Sequence, residues 1–310
     1  MSQNWVTPTN WVTPTNWVTP TNWITPTEGT TCLLDSISNL STAYSLRLLK
    51  TTYINQPLIR VRRSNDNTEI DISHNSNNDL DTAALLSFIG VNSAYIVTMY
   101  DQSGNGNHAT QAIPANQPRI VNAGVLDKHT NGIPTMIFDG SNDSLIVPYA
   151  ESLNNIYSLL VSVIARTNIT GRYILSRSIS GANIPYFLRT GAIGAIDGFG
   201  TFKAASYITT EIADTYTNDG LFHSFVGSYN SALGSDNLKL YVDGTNTNNN
   251  NVSTNIANVQ TDLRLGCDPS GAQTLNGAMS EVIIFSTALN DQQRQDIERN
   301  QGTYYGVTVA

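Results

Sequence analysis

The sequence is poor in charge, in cysteine and in long apolar runs. Lys, Arg, Asp and Glu make up 13% of the 310 residues, against about 25% in an average globular chain. That scarcity excludes charge-dense disorder and the Ala/Glu/Lys/Leu blocks of long helices and coiled coils. The balance is acidic, with 24 Asp and Glu against 16 Lys and Arg and a net charge of −8. No basic field is on hand to neutralise phosphates, so nucleic acid is excluded as a partner. No run approaches the roughly 18 consecutive apolar residues of a membrane helix, and no membrane insertion is expected. The start, Met-Ser-Gln-Asn-Trp, has neither a basic n-region nor an apolar h-region, so it is not read as a secretory signal. Two routes outside are then open: a signal already removed, or release by lysis inside a virus particle. The two cysteines, Cys32 and Cys267, do not make a disulfide framework. One bridge between them stays open, with two free buried thiols the simpler reading in a chain without an export signal.

What fills the space is Asn, Thr, Ser and Gly, while the apolar share is 40%. Such a composition suits an all-β protein with many polar turns. Its weakly charged surface also suits neutral, hydroxyl-rich ligands.

Residues 4–27 are four copies of one hexamer, Asn-Trp-Val-Thr-Pro-Thr, with Ile24 replacing Val in the last copy. All four tryptophans lie here: Trp5, Trp11, Trp17 and Trp23. On an extended chain an even period places equivalent side chains on one face. Proline in every copy excludes a helix or a central strand. A single such segment cannot bury its tryptophans, and a regular row of exposed aromatics marks an interface. Several copies around a common axis would bury them, a threefold stem being the simplest closed arrangement. The alternative is a low-complexity linker. The repeats resemble segments of bacteriophage structural proteins.

From about residue 31 to 310 the chain reads as strands. Pro57–Arg63, Thr68–Ile72, Tyr95–Tyr100, Thr135–Phe138, Tyr157–Ile164, Phe222–Tyr229, Leu238–Val242 and Val282–Phe285 are rich in β-branched and aromatic residues. Asp139-Gly140, Asp197-Gly198, Asp219-Gly220, Asp243-Gly244 and Asn276-Gly277 read as tight turns. The polar run Asn246–Asn251 reads as a hairpin loop. Helices are expected near Leu80–Phe88 and over Asp291–Asn300, the second with Asn290 as N-cap. Many strands with few helices imply a two-sheet antiparallel sandwich behind an extended N-terminal segment.

Two resemblances follow. Leu221–Tyr229, Leu238–Gly244, Leu263-Arg-Leu-Gly266 and Leu275–Ile284 resemble the C-terminal strands of concanavalin A-like, laminin G-type domains, which implies a jelly-roll sandwich. Ala43–Leu49, Leu58–Ser64 and Val97–Gln111, with its Tyr-Asp-Gln-Ser-Gly-Asn-Gly-Asn-His core, are similar to the catalytic domain of fungal α-L-arabinofuranosidase B. That resemblance implies a retaining glycosidase with two carboxyl groups about 5–5.5 Å apart. It places the acid/base at Asp268, in Gly266-Cys-Asp-Pro-Ser-Gly271. Read from its own neighbours, Asp268 is a turn residue accepting backbone N–H bonds. The nucleophile should be a mid-chain Glu, yet no Glu occurs between Glu151 and Glu211. Asp197, in an Asp-Gly turn, is the nearest carboxylate. The adjacent Cys pair that walls the family's sugar pocket is also missing. One carboxylate cannot form and break a glycosyl-enzyme intermediate, so the expectation is a domain without catalysis.

Other chemistry is sparse. His74, His108, His129 and His223 are scattered: His108 reads as a loop tie and His223 as a core or rim residue on a strand. No HExxH, CxxC, P-loop or Rossmann pattern occurs, and no cofactor is expected. Asp101, Asn105 and Asn107 have the oxygen spacing of a Ca²⁺ loop and equally that of an Asx-turn loop. Asp101, Asn105, Asn107, His108 and Asp268 are the candidate ligand-binding residues. Together these readings suggest a virion structural protein, such as a bacteriophage fibre, spike or head-decoration protein. Residues 1–30 would trimerise or dock on other virion proteins, and residues 31–310 would bind cell-surface glycans at the virion surface. Avidity from several copies would raise a weak affinity. An arabinofuranosidase-like glycoside hydrolase is the alternative, and a packing module without ligand the second.

Overall fold

Strand Ser158–Thr167 shows how the fold is built. Successive side chains of a strand point to opposite faces. Leu159, Val161 and Val163 enter the main core, while Leu160 and Ile164 join separate apolar clusters behind it. A run that is apolar at both parities must be covered on both sides. In the computed structural model, which describes residues 31–310 apart from 155–156, 180–182, 191–197, 204–205, 211–215, 217–218 and 254, it is. The opposing sheet covers one face. The C-terminal helix covers the other, with Ile297 packed beside Leu160, Ile283 and Phe285.

The ladder spreads from this strand. It runs through His223–Asn230 and Leu238–Val242 to Thr245–Asn250, and on the other side through Asn276–Phe285 to Leu40–Ser45 and Met136–Asp139. The opposing sheet runs from Ser206–Thr210 through Gly198–Lys203, Asn183–Thr190, Arg172–Ile179, Leu263–Leu265 and Leu145–Val147. It continues through Ala109–Thr110, Ala94–Met99 and Ile59–Arg63 to Glu69–Ile72. Arg119–Asn122 pairs with both Ala94–Met99 and Met136–Asp139, so the system nearly closes into a barrel. This is the all-β antiparallel sandwich expected from the sequence.

Helix Thr82–Ile89 begins where Asp81 accepts the Ala84 N–H. Helix Asp291–Tyr305 begins at a capping box in which Asn290 and Gln293 exchange bonds. It continues past the expected end at Asn300 to Gly306, whose φ of 73° closes it. Its buried face holds Arg294, Glu298 and Gln301 as well as Ile297 and Tyr305. The polar members of that face are paired: Gln301 accepts from Ser162 and donates to Glu281, and Arg294 pairs with Glu298 and stacks 3.8 Å from the Tyr241 ring.

Two local expectations are corrected. Asn276-Gly277 lies inside strand Asn276–Phe285 rather than in a turn. Glycine is needed there because a Cβ would sit 2.0 Å from the Arg166 carbonyl oxygen of the neighbouring strand. Asn246–Asn251 is not a loop for most of its length, since Thr245–Asn250 forms a strand against Leu238–Val242. Asp243 and Gly244, with φ of 51° and 78°, make the tight turn one step earlier. Cys32 and Cys267 are both free thiols. The repeat with Trp5, Trp11, Trp17 and Trp23, and Asp197 of the Asp197-Gly198 pair, lie outside the described residues.

Candidate functional site

The loop Gly266–Gly271 leaves short strand Leu263–Leu265, which is held between Arg172–Ile179 and Leu145–Val147. Gly266 and Gly271 adopt φ of 82° and 74°, which a side chain would strain. At Gly266 a Cβ would also lie 2.3 Å from the Phe138 ring. The loop is pinned to strand Arg172–Ile179 by the Gly266 N–H on the Ile174 carbonyl and by the Ser176 hydroxyl on the Cys267 carbonyl, both at 2.8 Å.

Asp268 projects from this platform. Its Oδ1 accepts the N–H groups of Ala272 and Gln273, each at 2.8 Å, and its Oδ2 accepts the Ser270 hydroxyl at 2.5 Å. Burial by itself would raise this carboxyl. The Gln273, Ser270 and Ala272 donors outweigh it and hold Asp268 below the usual carboxylate value. The turn role read from the sequence is therefore met in full. A general acid must in addition hold a proton, and these donors favour the ionised form.

Sequence reasoning did not single out what stands beside Asp268. The Tyr173 N–H reaches the Gln273 carbonyl, and the Tyr173 ring lies 5.8 Å from Phe187 and 5.5 Å from the Arg189 guanidinium. These residues come from strands Arg172–Ile179 and Asn183–Thr190, paired Tyr173↔Arg189. Tyr173 and Arg189 are buried, 7% and 6% exposed, and Tyr173 packs with Phe187, so they brace the strand pair behind the Asp268 loop. The only sequence signal was the alternation of aromatic residues and arginine in Tyr186-Phe-Leu-Arg189, which also fits a buried strand.

The other candidates gather elsewhere. Asp101 is buried, and its carboxylate accepts Thr42 Oγ1, Ala43 N–H, Ser103 N–H, Ser103 Oγ and Asn107 N–H. Asn105 and Asn107 donate to the Leu40 and Ser41 carbonyls, and His108 Nδ1 accepts the Asp101 N–H. The four residues thus tie the Asp101–His108 loop to strand Leu40–Ser45. Both Asp101 oxygens already serve protein donors, so the set does not fit a Ca²⁺ ion without breaking those bonds. The structure does not bring this loop and Asp268 into one cluster.

His223 sits on a strand, as read. Its Nδ1 meets Asp243 Oδ2 at 2.6 Å and its Nε2 meets Asp219 Oδ2 at 3.0 Å. Both ring nitrogens are committed to carboxylates, an arrangement that ties the Asp219-Gly220 turn to the Asp243-Gly244 hairpin.

The family described as the concanavalin A-like lectin/glucanases superfamily matches residues 139–293, half of the chain. The family described as alpha-L-arabinofuranosidase B, catalytic, matches residues 29–149. Among solved structures, the chain is similar to a GH54 α-L-arabinofuranosidase mutant soaked with 4-nitrophenyl α-L-arabinofuranoside, at TM-score 0.56 and 16% identity. It is equally similar to an arabinofuranosidase complexed with arabinofuranosyl-α-1,2-xylobiose, at TM-score 0.56 and 16% identity. Each alignment covers 84% of this chain and 62% of the other, so the chain spans less than two thirds of those enzymes. At that identity the likeness shows the fold. A search of curated proteins finds no match.

Proposed function

The chain belongs to the concanavalin A-like lectin/glucanases superfamily, and on that premise we propose a glycoside-hydrolase-type domain that acts on arabinofuranosyl-bearing glycans at the Asp268 end of the sandwich. One observation carries the reading. Asp268 stands where the arabinofuranosidase resemblance places the acid/base, on a loop bonded to the strand that carries Tyr173. In this reading Asp268 protonates the leaving oxygen. A second carboxyl must act as nucleophile. Asp197, the carboxylate nearest to the family's position, lies outside the described residues. This reading takes precedence over a virion fibre, because matches to the arabinofuranosidase family and its fold support it, whereas the virion reading rests on sequence features alone: the repeat, the lack of a recognisable signal and the missing nucleophile.

The test is release of 4-nitrophenol from 4-nitrophenyl α-L-arabinofuranoside. Turnover by the full chain is expected, lost in Asp268→Asn and in Asp197→Asn. Because Asp268 is held in its ionised form, its acid form is populated only at low pH, so turnover should fall as pH rises from the acid side. Absence of turnover between acid and neutral pH would remove the enzyme.

A second reading is favoured by the filled hydrogen bonds of Asp268. With both oxygens occupied by its own loop, the site would bind arabinofuranosyl glycans without cleaving them. Residues 1–30 would then present several copies, as on a virion surface. Binding to a glycan array without turnover, by an oligomer, is the outcome that selects it.

A further inference from the structure

A cleft of about 530 Å³ opens beside the turn that joins Met136–Asp139 to Leu145–Val147, lined by Arg62, Ser64, Tyr95, Gln117, Asp139 and Asp143 among others. This volume falls in the range of small-molecule sites. Pairing of Leu145 with Leu265 sets this turn beside the strand that leads into the Asp268 loop.

Asp143 is only 6% exposed. Its Oδ2 accepts the Asp139 N–H at 2.9 Å, while its Oδ1 accepts no hydrogen bond from the described residues although the side chain lines the cleft. On an otherwise buried side chain that lines the cleft, this oxygen is an acceptor open to a hydroxyl or N–H supplied from outside. Asp139 is similar: Oδ1 accepts the N–H groups of Ser141 and Asn142, which leaves Oδ2 for a ligand. The cations in the cleft are already engaged. Arg62 donates to Gln117, Asn67 and the Pro114 carbonyl, and lies 4.9 Å from the Tyr95 ring. Arg119 holds Asp127 in a bidentate pair.

Arg62 is hydrogen-bonded to neutral acceptors and Arg119 is paired with Asp127 outside the lining, so the cleft offers no open cation for an anionic ligand. Its open groups are carboxylate acceptors beside an aromatic ring. That combination matches adjacent hydroxyl donors on a ring with an apolar face. We propose that the Asp139–Asp143 cleft is a second carbohydrate subsite that takes an uncharged sugar unit through its hydroxyl groups. The ligand class rests on the carbohydrate reading above, but the cleft does not depend on turnover at Asp268.

The experiment is calorimetric titration of the full chain with methyl α-L-arabinofuranoside, xylobiose and D-galactose at about pH 8, where Asp143 is ionised, run beside the aryl-arabinofuranoside assay. At least one of these sugars should bind. Affinity should fall about tenfold or more in Asp143→Asn, which keeps an acceptor for the Asp139 N–H but turns an amide donor to the cleft. Asp139→Asn, at an exposed side chain, should weaken binding too and covers the case in which Asp143→Asn fails to fold. Asp268→Asn should leave the Asp143-dependent part of this binding intact. If no sugar binds, or if binding ignores both substitutions, the proposal is overturned whatever the turnover assay shows. A Ca²⁺ titration that gives heat lost in Asp143→Asn would assign a cation site and overturn it as well. Binding lost in Asp143→Asn with no turnover in any variant would uphold the subsite while removing the enzyme.

Discussion

The Arg47 guanidinium grips the Glu281 carboxylate in a bidentate pair, Nε to Oε2 at 2.9 Å and Nη2 to Oε1 at 3.1 Å, with the Glu281 side chain wholly buried. Arg47 follows strand Leu40–Ser45, and Glu281 lies on Asn276–Phe285 opposite Ser45. The hydroxyls of Ser45 and Tyr305 and the Gln301 amide also donate to the same carboxylate. The pair therefore joins the first strand, the last strand and the C-terminal helix.

Removing one partner of such a pair leaves a buried charge. Arg47→Met should cost about 3–5 kcal/mol, read as a lower urea midpoint. Burial would raise the Glu281 carboxyl, but Arg47 and the hydroxyl and amide donors outweigh it and hold it below its ordinary value. A lowered carboxyl gives stability that is present above its unfolded value, about 4.3, and is lost as pH falls. The gap between wild type and Arg47→Met should therefore narrow toward acid. A gap that stays constant down to about pH 3 would exclude this linkage.

His223 has the opposite sign. Burial would lower its pKa, yet the bonds and charges of Asp243 and Asp219 outweigh it and raise it. A raised histidine stabilises the fold fully below its unfolded value, about 6.5, and that stability is lost as pH climbs through the folded value. Melting temperature should decline above neutrality in the wild type. In His223→Gln this part of the decline should vanish.

Asp143 and Glu298 are both pushed up to about 7. For each the main cause is burial, which for Asp143 is reinforced by Asp139 and for Glu298 is partly offset by Arg294. A carboxyl raised in the folded state binds its proton more tightly there than in the unfolded chain. Stability should therefore drop as pH rises from about 4 to 7. Asp143→Asn should remove one part of that drop and Glu298→Gln another, measured as melting temperature against pH. Sugar bound in the cleft should shift the Asp143 part only.

The repeat makes its own prediction. If the tryptophans are buried against copies of themselves, the full chain should scatter light as a trimer and a chain lacking residues 1–30 as a monomer. A full chain that stays monomeric at high concentration would leave the repeat as a linker.

The eight strands read from the sequence and both helices were legible because they depend on local periodicity and capping, whereas Arg172–Ile179, Asn183–Thr190, Gly198–Lys203 and Ser206–Thr210 were not read as strands. The alternation in Leu238–Val242 and the Asn290 cap need no distant partner to be recognised. Asn276-Gly277 was misread because the reason for its glycine, the backbone of Arg166, belongs to another strand. Asp268 was legible as a residue of interest, and even its turn role, since its partners lie within five positions. Tyr173, Arg189 and the Asp143 cleft were not, because residues far apart in the chain become neighbours only through strand pairing.

The sequence by itself determined an antiparallel β protein with a weakly charged surface, an N-terminal tryptophan repeat and one carboxylate in a glycosidase-like loop. Composition and short-range pattern are enough for these, since each is set by neighbours along the chain. Only the tertiary structure decided that Asp101 ties a loop, that the arginine and carboxylate charges of the helix face are paired, and that the largely buried Asp143 lines a cleft. Those outcomes depend on which groups lose water together and which donors remain to replace it, and that is decided when the sheets close over one another.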